Sequence, residues 1–351
     1  MIPNPKECCF YKIQEGTRNE YVAIGSDGNI LRWAETGGPE QIWLIVPVNA
    51  TRCKIQTQQN GEFMAVGSNG NILRWAETGG PEQEFSFVNY ANGWWNIQIG
   101  TGNAFVAVGS NGNILRWAKT GGNEQKFKLV PVHPMAKPHL QPGDSEPGAI
   151  GDVPRITDFG VIPPERTPAR LIAETLLPAV YVHQDPAYSD RVQQVARNPY
   201  YILRREQYWD RSGDRGGYYE HDGYREFTKS VTVHFGFSQT NAKSVEDTLG
   251  VKVSASGEFT YGGATVALAS EMSRDLKVQT SQETQVTSDR TETFAVKFPK
   301  ERFAYALWSL VDHYQLLNMQ RYLVREWEIV LKGTAIADAY PRDLARLPLG
   351  S

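Results

Sequence analysis

The stretch that decides the fold is IGSDGNILRWAETGGPEQ, residues 24–41, because the chain contains it three times with few changes. The second copy, residues 66–83, reads VGSNGNILRWAETGGPEQ, and the third, residues 108–125, reads VGSNGNILRWAKTGGNEQ, so the period is 42 residues. One unit of this size cannot bury its own apolar face, and repeats of this length fold by packing on one another. The repetition therefore predicts a first domain built from three equivalent units.

Each unit contains four short segments that have the composition of β-strands. In the second unit these predicted strands are Cys53–Thr57, Phe63–Val66, Ile72–Trp75 and Glu84–Val88. Asn69-Gly70 stands between two of them and predicts a type I′ hairpin turn, in which both central residues need a positive φ. Twelve strands in three units predict a β-trefoil over residues 1–133. A propeller of WD-type blades has a similar period, but it needs four or more blades.

The ends of the units carry a second signal, Gln41-Ile42-Trp43, Gln83-Glu84-Phe85 and Gln125-Lys126-Phe127. These triplets resemble the Gln-x-Trp signature of ricin-B-type lectin repeats. The resemblance implies sugar binding, in which one aromatic side chain of a unit stacks on a sugar face and polar side chains hydrogen-bond its hydroxyls. It assigns these roles to nine residues: Trp33, Glu40, Gln41, Trp75, Glu82, Gln83, Trp117, Glu124 and Gln125.

One departure from the lectin pattern concerns its principal sugar-binding Asp. That residue falls at Ala23, Ala65 and Ala107, so the galactose geometry of ricin-type lectins is not expected here. A second interpretation is purely structural: the Gln and aromatic residues pin the trefoil core, and the Asn-Gly pairs only make turns. The sequence leaves both interpretations open for any single residue.

The remainder of the chain changes composition twice. Residues 134–170 are rich in proline, which predicts an extended connector packed over a surface. From Thr228 to Phe298 the chain contains no proline, is rich in Ser and Thr, and mostly alternates polar with apolar residues. This pattern predicts long strands of a sheet that is partly solvated or that later changes its solvent. Residues 171–351 are therefore predicted to form a second domain of β structure.

Residues 251–273 alternate as a hairpin with two chemically different faces would. A two-residue turn at Gly262-Gly263 pairs Tyr261 with Ala264 and Phe259 with Val266, and each arm is about 11 residues long, near the ~9–11 of a tilted transmembrane strand. The predicted membrane-facing residues are Val251, Val253, Ala255, Phe259, Tyr261, Ala264, Val266, Leu268 and Met272. The predicted pore-lining residues are Lys252, Glu258 and Glu271. A lone hairpin leaves backbone groups unpaired in hydrocarbon, so hairpins of several chains are expected to close one barrel.

The same hairpin is expected to lie against the domain before it meets a membrane. A rival interpretation of the whole second domain is assembly alone, in a carbohydrate-binding lectin without pore-forming activity.

A family resemblance rests on Leu171–Val182 and on Pro199–Trp209, which reads PYYILRREQYW. Both resemble the binary-toxin-like insecticidal crystal proteins of spore-forming bacteria, the BinA/BinB-like (toxin-ten, Tpp) family. The resemblance implies an all-β fold, an N-terminal β-trefoil followed by an elongated aerolysin-like antiparallel β-sheet domain. Taken by themselves, Tyr200, Tyr201, Tyr208 and Trp209 are interpreted as an aromatic cluster that joins strands near the domain joint.

The resemblance also implies where such a protein is stored, how it is activated and what it binds. Such a protein is deposited in a parasporal crystal, activated by a protease, and released to act extracellularly at host gut cells. Its expected partners are cell-surface glycans or glycolipids, the target membrane and further copies of itself on that membrane. Some relatives act with a second toxin component, and the resemblance leaves that requirement open.

Other function classes find no support in the sequence. The charge balance of 36 basic and 39 acidic residues argues against nucleic acid as a partner. The chain has no His-Glu-x-x-His, Gly-x-Ser-x-Gly or Gly-Lys-Ser/Thr motif and no cysteine ligand set, so neither an enzyme nor a metal or other cofactor is expected. No transmembrane helix or signal peptide is expected either. Cys53 is expected to bridge Cys8 or Cys9, or to be a buried thiol.

Overall fold

The computed structural model describes residues 10–49, 51–100, 102–132, 136–140, 147–237, 239–249, 251–253, 259–261, 266–278 and 290–342. Within these ranges, no helix has both the length and the apolar character needed to cross a bilayer. Strands dominate, and the predicted all-β fold class, a β-trefoil before an antiparallel sheet domain, is confirmed.

The N-terminal domain is a sheet of twelve strands, four from each repeat. The strands are β1 (Phe10–Glu15), β2 (Tyr21–Ile24), β3 (Ile30–Trp33), β4 (Trp43–Pro47), β5 (Cys53–Thr57), β6 (Phe63–Val66), β7 (Ile72–Trp75), β8 (Phe85–Ala91), β9 (Trp94–Ile99), β10 (Ala104–Val108), β11 (Ile114–Ala118) and β12 (Phe127–Val132). The first and last strands pair antiparallel along their whole length, from Phe10 opposite Val132 to Glu15 opposite Phe127, and so close the domain. The predicted bounds of β5, β6 and β7 are those observed.

The turn before each Ile-Leu-Arg-Trp strand differs from the predicted type I′ geometry. Gly70 has a φ of 85°, but Asn69 does not share its positive φ. The reason is local: the side-chain oxygen of Asn69 accepts the backbone N–H of Asn71 at 3.0 Å, an Asx-turn that leaves only the glycine in the left-handed region. Two consecutive positive φ values, 51° and 80°, occur instead at Asn92-Gly93, between β8 and β9.

The second domain contains a six-stranded antiparallel sheet and a separate two-stranded ribbon. The sheet consists of β13 (Arg170–Pro178), β14 (Tyr200–Arg211), β15 (Tyr218–His221), β20 (Phe303–Leu317), β21 (Leu323–Val330) and β22 (Ile336–Tyr340). The ribbon pairs β16 (Phe227–Phe235) with β19 (Arg290–Phe298). The remaining elements are α1 (Arg191–Arg197), α2 (Gln239–Leu249), β17 (Val251–Val253), β18 (Phe259–Tyr261) and α3 (Val266–Asp275).

The trefoil and the second domain share one apolar core. Phe10, Leu44, Val46 and Phe63 of the trefoil are buried in the same cluster as Val180 to Val182 of the second domain. Part of the proline-rich stretch packs on the sheet: Ile156 is fully buried, and the indole N–H of Trp209 donates to the carbonyl of Gly151 at 2.7 Å. The two domains are thus held by packing as well as by the chain between them.

The aromatic string of β14 and the cysteine of β5 have structural roles. Tyr200 and Tyr201 are buried in the shared core, and the Tyr201 hydroxyl donates to Asp185 at 2.6 Å. Cys53 is a free, fully buried thiol, and its burial raises the pKa of the thiol. A bridge from Cys53 is therefore absent, whereas Cys8 and Cys9 lie outside the described residues.

His183 is a titratable group at the junction between the domains. Burial, assisted by the charge of Arg191, lowers the pKa of His183 to about 4, and Glu77 and Lys54 of the trefoil also act on it. Because an unfolded histidine has a pKa near ~6.5, the unfolded chain takes up this proton before the folded chain does. His183 therefore favours the folded state above pH ~6.5 and loses this contribution as the pH falls from ~6.5 to 4.

We expect the substitution His183→Asn to make stability less dependent on pH. Wild type should lose about 3 kcal/mol more than the variant between pH 7 and pH 4, measured by urea unfolding at each pH. His313 is a control of opposite sign, because its hydrogen bond with Glu206 and its contact with Glu326 raise its pKa. His313→Asn should therefore cost most stability below pH ~6.5. Parallel pH curves for wild type and His183→Asn would contradict the assignment.

Candidate functional site

Three exposed tryptophans mark equivalent places on the trefoil. Trp33, Trp75 and Trp117 lie at or next to the ends of β3, β7 and β11, and their exposed fractions are 53%, 51% and 56%. Single exposed apolar side chains are common on protein surfaces, but the same indole left exposed by each of three units is a repeated surface feature. These three predicted stacking residues are therefore accessible to a ligand.

Each tryptophan lies beside a turn that belongs to another unit. The backbone N–H of Arg74 donates to the carbonyl of Gly28 at 2.9 Å. The equivalent bonds run from Arg32 to Gly112 and from Arg116 to Gly70, both at 2.7 Å. The Asn-Gly and Asp-Gly turns thus connect the three units around the pseudo-threefold arrangement, and each surface next to a tryptophan is built from two units.

At Trp75 this junction forms an open cleft of about 340 Å³. It is lined by Asp27 and Gly28 of the first unit and by Glu62, Leu73, Arg74, Trp75 and Ala76 of the second. Arg74 Nε lies 2.8 Å from Glu62 Oε2, and hydrogen bonds from Asn29 lower the pKa of the Asp27 carboxyl. An indole face beside two carboxylates and a guanidinium offers stacking and hydroxyl partners, the combination that suits a sugar.

The predicted glutamines do not reach this surface. Gln41, Gln83 and Gln125 are at most 1% exposed. The amide of Gln83 donates to the carbonyl of Ala76 at 2.7 Å, and its oxygen accepts the backbone N–H of Thr78 at 2.9 Å. Gln41 and Gln125 repeat this arrangement in their own units. The burial contradicts direct sugar contact in this folded state, because both ends of each amide are used to hold the loop that follows the tryptophan.

The predicted glutamates are half-buried at the edge of the same loops. In each unit a threonine hydroxyl donates to the glutamate: Thr36 to Glu40, Thr78 to Glu82 and Thr120 to Glu124. These bonds lower the pKa of the Glu82 and Glu124 carboxyls. Sugar binding by the glutamates stays a prediction. A sugar hydroxyl bound there would share the carboxylate with the threonine hydroxyl.

The sequence interpretation missed Asp27, Glu62 and Arg74, which the structure places around Trp75. Arg74 adjoins Trp75 in sequence, but Glu62 lies thirteen residues before the tryptophan and Asp27 lies in the preceding unit. Only the contact of one unit's turn with the next unit's strand brings them together, and no spacing within a single repeat reveals that contact.

The predicted hairpin is paired differently in the described state. β17 pairs with β18, so that Val251 is opposite Tyr261 and Val253 is opposite Phe259, with Lys252 opposite Thr260. Val266–Asp275, which includes Leu268 and Glu271, is the helix α3, so the pairing of Phe259 with Val266 is wrong for this state. Ala255, Glu258 and Ala264 lie outside the described residues.

Residues 266–275 can form a helix because apolar residues four apart fit one face of a helix as well as one face of a strand. Leu268, Met272 and Leu276 recur every four residues, which places them on one face of a strand and also along one stripe of a helix. In the structure Met272 and Leu276 are buried in the shared core. Packing of this stripe on the body therefore selects the helix.

The end of α3 is fastened to the sheet by a buried ion pair. The guanidinium of Arg205 donates to the carbonyls of Leu276 at 3.0 Å and Lys277 at 2.7 Å, and it pairs with Asp312 at 2.9 Å. The hydroxyl of Thr175 also donates to Asp275 at 3.1 Å. Such contacts cost stability if one partner is removed, because the other charge stays buried and unpaired.

Substitution of a buried glutamine should lower the stability of the trefoil more than substitution of an exposed tryptophan. We expect Gln83→Ala to lower the free energy of unfolding by about 2 kcal/mol, since it leaves the Thr78 N–H and the Ala76 carbonyl without a partner. Trp75→Ala, on a side chain that is 51% exposed, should cost only about 1 kcal/mol. Urea unfolding of both variants measures the difference. A Gln83→Ala protein as stable as wild type would contradict the structural role of the amide.

Comparison with known proteins gives a family for the second domain. Residues 170–342 match the family model described as Insecticidal Crystal Toxin, P42. Insecticidal crystal protein Cry35Ab1 from Bacillus thuringiensis is 26% identical over 197 residues, which cover 54% of this chain and 49% of Cry35Ab1. The sequence match thus spans about half the length of that relative.

The fold of the whole chain also has a solved counterpart. The crystal structure of Cry35Ab1 superposes with a TM-score of 0.65 at 18% identity, and the superposition covers 97% of this chain and 92% of that one. At this identity the likeness establishes the fold, which extends through both domains. The family match over residues 170–342 and the sequence match to Cry35Ab1 together identify the family: the protein belongs to the insecticidal crystal toxins.

Proposed function

We propose that the chain is an insecticidal pore-forming toxin. In this proposal the trefoil binds cell-surface glycans or glycolipids, several copies assemble on the target membrane, and each copy contributes one β-hairpin to a shared barrel. Storage in a parasporal crystal and extracellular action at gut cells are part of the same proposal, and the family supports them.

The observation that carries pore formation is the register of the β16–β19 ribbon. Phe227 is opposite Phe298 and Phe235 is opposite Arg290. If both strands continue in this register without a break, Val253 comes opposite Met272 and Phe259 opposite Val266, and Gly262-Gly263 is left as the two-residue turn. Alternation within residues 251–273 predicts the same pairing independently, so the ribbon and the segment it encloses fit one continuous hairpin.

The two faces of the ribbon continue in the same sense. Val231, Val233 and Phe235 are buried on one face of β16, together with Val296 and Phe298 of β19. In an extended hairpin the apolar residues at 251, 253, 259 and 261 keep the parity of the β16 residues, and those at 266, 268 and 272 keep the parity of the β19 residues. The face that is packed in the ribbon would therefore become the face that meets lipid.

In the described state, the segment between β16 and β19 contains the short elements α2, β17, β18 and α3. α2 and α3 have 11 and 10 residues, and helices of this length are marginal on their own in water. They depend on packing of Val245, Leu249, Met272 and Leu276 and on the contacts of Arg205 and Thr175 with the end of α3. Insertion exchanges that packing for hydrocarbon and for strand pairing with neighbouring copies.

A reversible tether tests whether α3 has to leave the body. In a chain that carries Cys8→Ser, Cys9→Ser and Cys53→Ala, we introduce Thr175→Cys and Asp275→Cys, whose native side chains are 3.1 Å apart. The oxidised protein should release no dye from liposomes made of gut-membrane lipids, and reduction should restore release.

The ribbon itself supplies the matched control for this tether. Thr232 is opposite Thr293, with their hydroxyl oxygens 3.5 Å apart, and a disulfide between cysteines there joins strands that are paired in both states. That control should release dye when oxidised. Undiminished release from the oxidised Thr175–Asp275 tether would contradict insertion of this segment. Intact liposomes with every reduced protein, wild type included, would favour the lectin without pore-forming activity.

Adjacent residues of opposite parity test which face meets lipid. Phe259→Arg puts a charge on the proposed lipid face of every copy in the barrel, at a cost per copy of up to about 2–4 kcal/mol at the middle of a bilayer and less near its surface. Summed over the copies, this cost should abolish dye release. Thr260→Arg puts the same charge on the water-lined face and should leave release within about twofold of wild type. Both variants should bind cells like wild type. Loss of release in both, or in neither, would contradict the assigned faces.

A further inference from the structure

The surfaces beside Trp33 and Trp117 are built in the same way as the Trp75 cleft, from a turn of one unit and a strand of another, and are called the Trp33 and Trp117 clefts. The three differ in charge although their sequences are nearly identical. In the first two units a glutamate neutralises the arginine beside the tryptophan: Arg32 Nε lies 2.8 Å from Glu20, and Arg74 Nε lies 2.8 Å from Glu62. In the third unit the equivalent position is Ala104. Arg116 is exposed, and among the described residues no carboxylate lies within 4 Å of it.

The missing glutamate also changes where the guanidinium lies. Arg74 Nη2 is 3.9 Å from the position that a Cβ on Gly28 would occupy, and Arg32 Nη2 is 3.8 Å from the same position on Gly112. Gly70, the equivalent glycine beside the third unit, has no such atom within 4 Å. The two paired guanidinium groups therefore lie over the neighbouring turn, whereas that of Arg116 is not held there and is available to a ligand.

Two further replacements remove negative charge from this cleft. The adjoining turn carries Asn69, where the Trp75 cleft has Asp27. Lys119 replaces the glutamates of the other units, Glu35 and Glu77.

Lys119 keeps one feature of those units. In the second unit Lys54 pairs with Glu77 at 2.7 Å and lies over the ring of Phe63. In the third unit the ammonium comes from Lys119, 5.7 Å from the ring centroid of Phe105, which is opposite Trp117 in the sheet. A lysine ammonium therefore lies over the Phe ring in both units, but the third unit has no equivalent of Glu77 to pair with it. The carboxylate left in this loop, Glu124, is engaged by the Thr120 hydroxyl.

We infer that the Trp117 cleft binds an anionic sugar, one whose ring carries a carboxylate or a sulfate. The ring stacks on Trp117, and the anion is bound by Arg116 with Lys119 nearby. An unpaired guanidinium offers its forked donors to such a group, whereas Glu62 and Asp27 repel the same group from the Trp75 cleft. The inference rests on the proposed glycan binding and assigns a ligand class to one of its sites.

The test exchanges one residue between the units. Ala104→Glu gives Arg116 the partner that Arg32 and Arg74 have, and Glu62→Ala removes that partner from Arg74. Immobilised 3′-sialyllactose, lactose 3′-sulfate and lactose are the sugar probes, and phosphatidylserine vesicles without glycan are the lipid probe. Because charge-assisted hydrogen bonds are lost, Ala104→Glu should bind both acidic sugars about tenfold more weakly, with lactose binding unchanged. Glu62→Ala should bind them more tightly than wild type.

Arg116→Gln is a second variant on an exposed side chain, and it should lose the acidic sugars as Ala104→Glu does. The preference of wild type for acidic sugars should also shrink between 0.05 and 0.5 M NaCl. Wild type that binds lactose as tightly as the acidic sugars would overturn the anionic site and leave glycan binding intact. Wild type that binds no sugar at all would overturn both, and binding only to phosphatidylserine vesicles would transfer Arg116 to a lipid headgroup and overturn the assignment to a sugar.

Discussion

One continuous apolar core holds the trefoil, the sheet of the second domain and the helices α2 and α3 together. Phe10 and Leu44 of the trefoil, Tyr201 of β14 and Met272 of α3 all belong to it. Because interiors are packed to crystal-like density, no one of these parts can leave without exposing the others. The packing that holds α2 and α3 on the second domain is therefore the same packing that holds the trefoil in place. The stability of these two helices depends on the junction between the domains.

The amino-acid sequence predicts the trefoil well, because a 42-residue period and alternating strands leave few other folds. It fails where one pattern satisfies two structures: apolar residues four apart fit a strand and a helix, and only packing of Met272 selected the helix. At the tryptophan clefts it identifies the indoles but not their neighbours. The glutamines proved to be loop supports, since a buried amide and a sugar-binding amide have the same sequence signature.

The β16–β19 ribbon gives the second domain a feature that both proposed states share. Its pairing already encloses residues 236–289, so lengthening it requires no new choice of partner strand. What has to be undone is the packing of α2 and α3 in the common core and the bonds of Arg205 and Thr175 to the end of α3. The trefoil contributes in a different way: its three clefts share a scaffold, while single charge replacements such as Glu62 to Ala104 separate their chemistry.

The packed connector has a consequence for a chain that has been cut. Residues on both sides of 133–146 are held independently, Phe10 and Leu44 by the common core and Gly151 and Ile156 by Trp209 and its neighbours. A protease that severed the backbone between these anchor points would produce two polypeptides that still travel as one particle. Recognition and permeabilisation would then stay physically coupled after nicking for as long as this packing holds the fragments together.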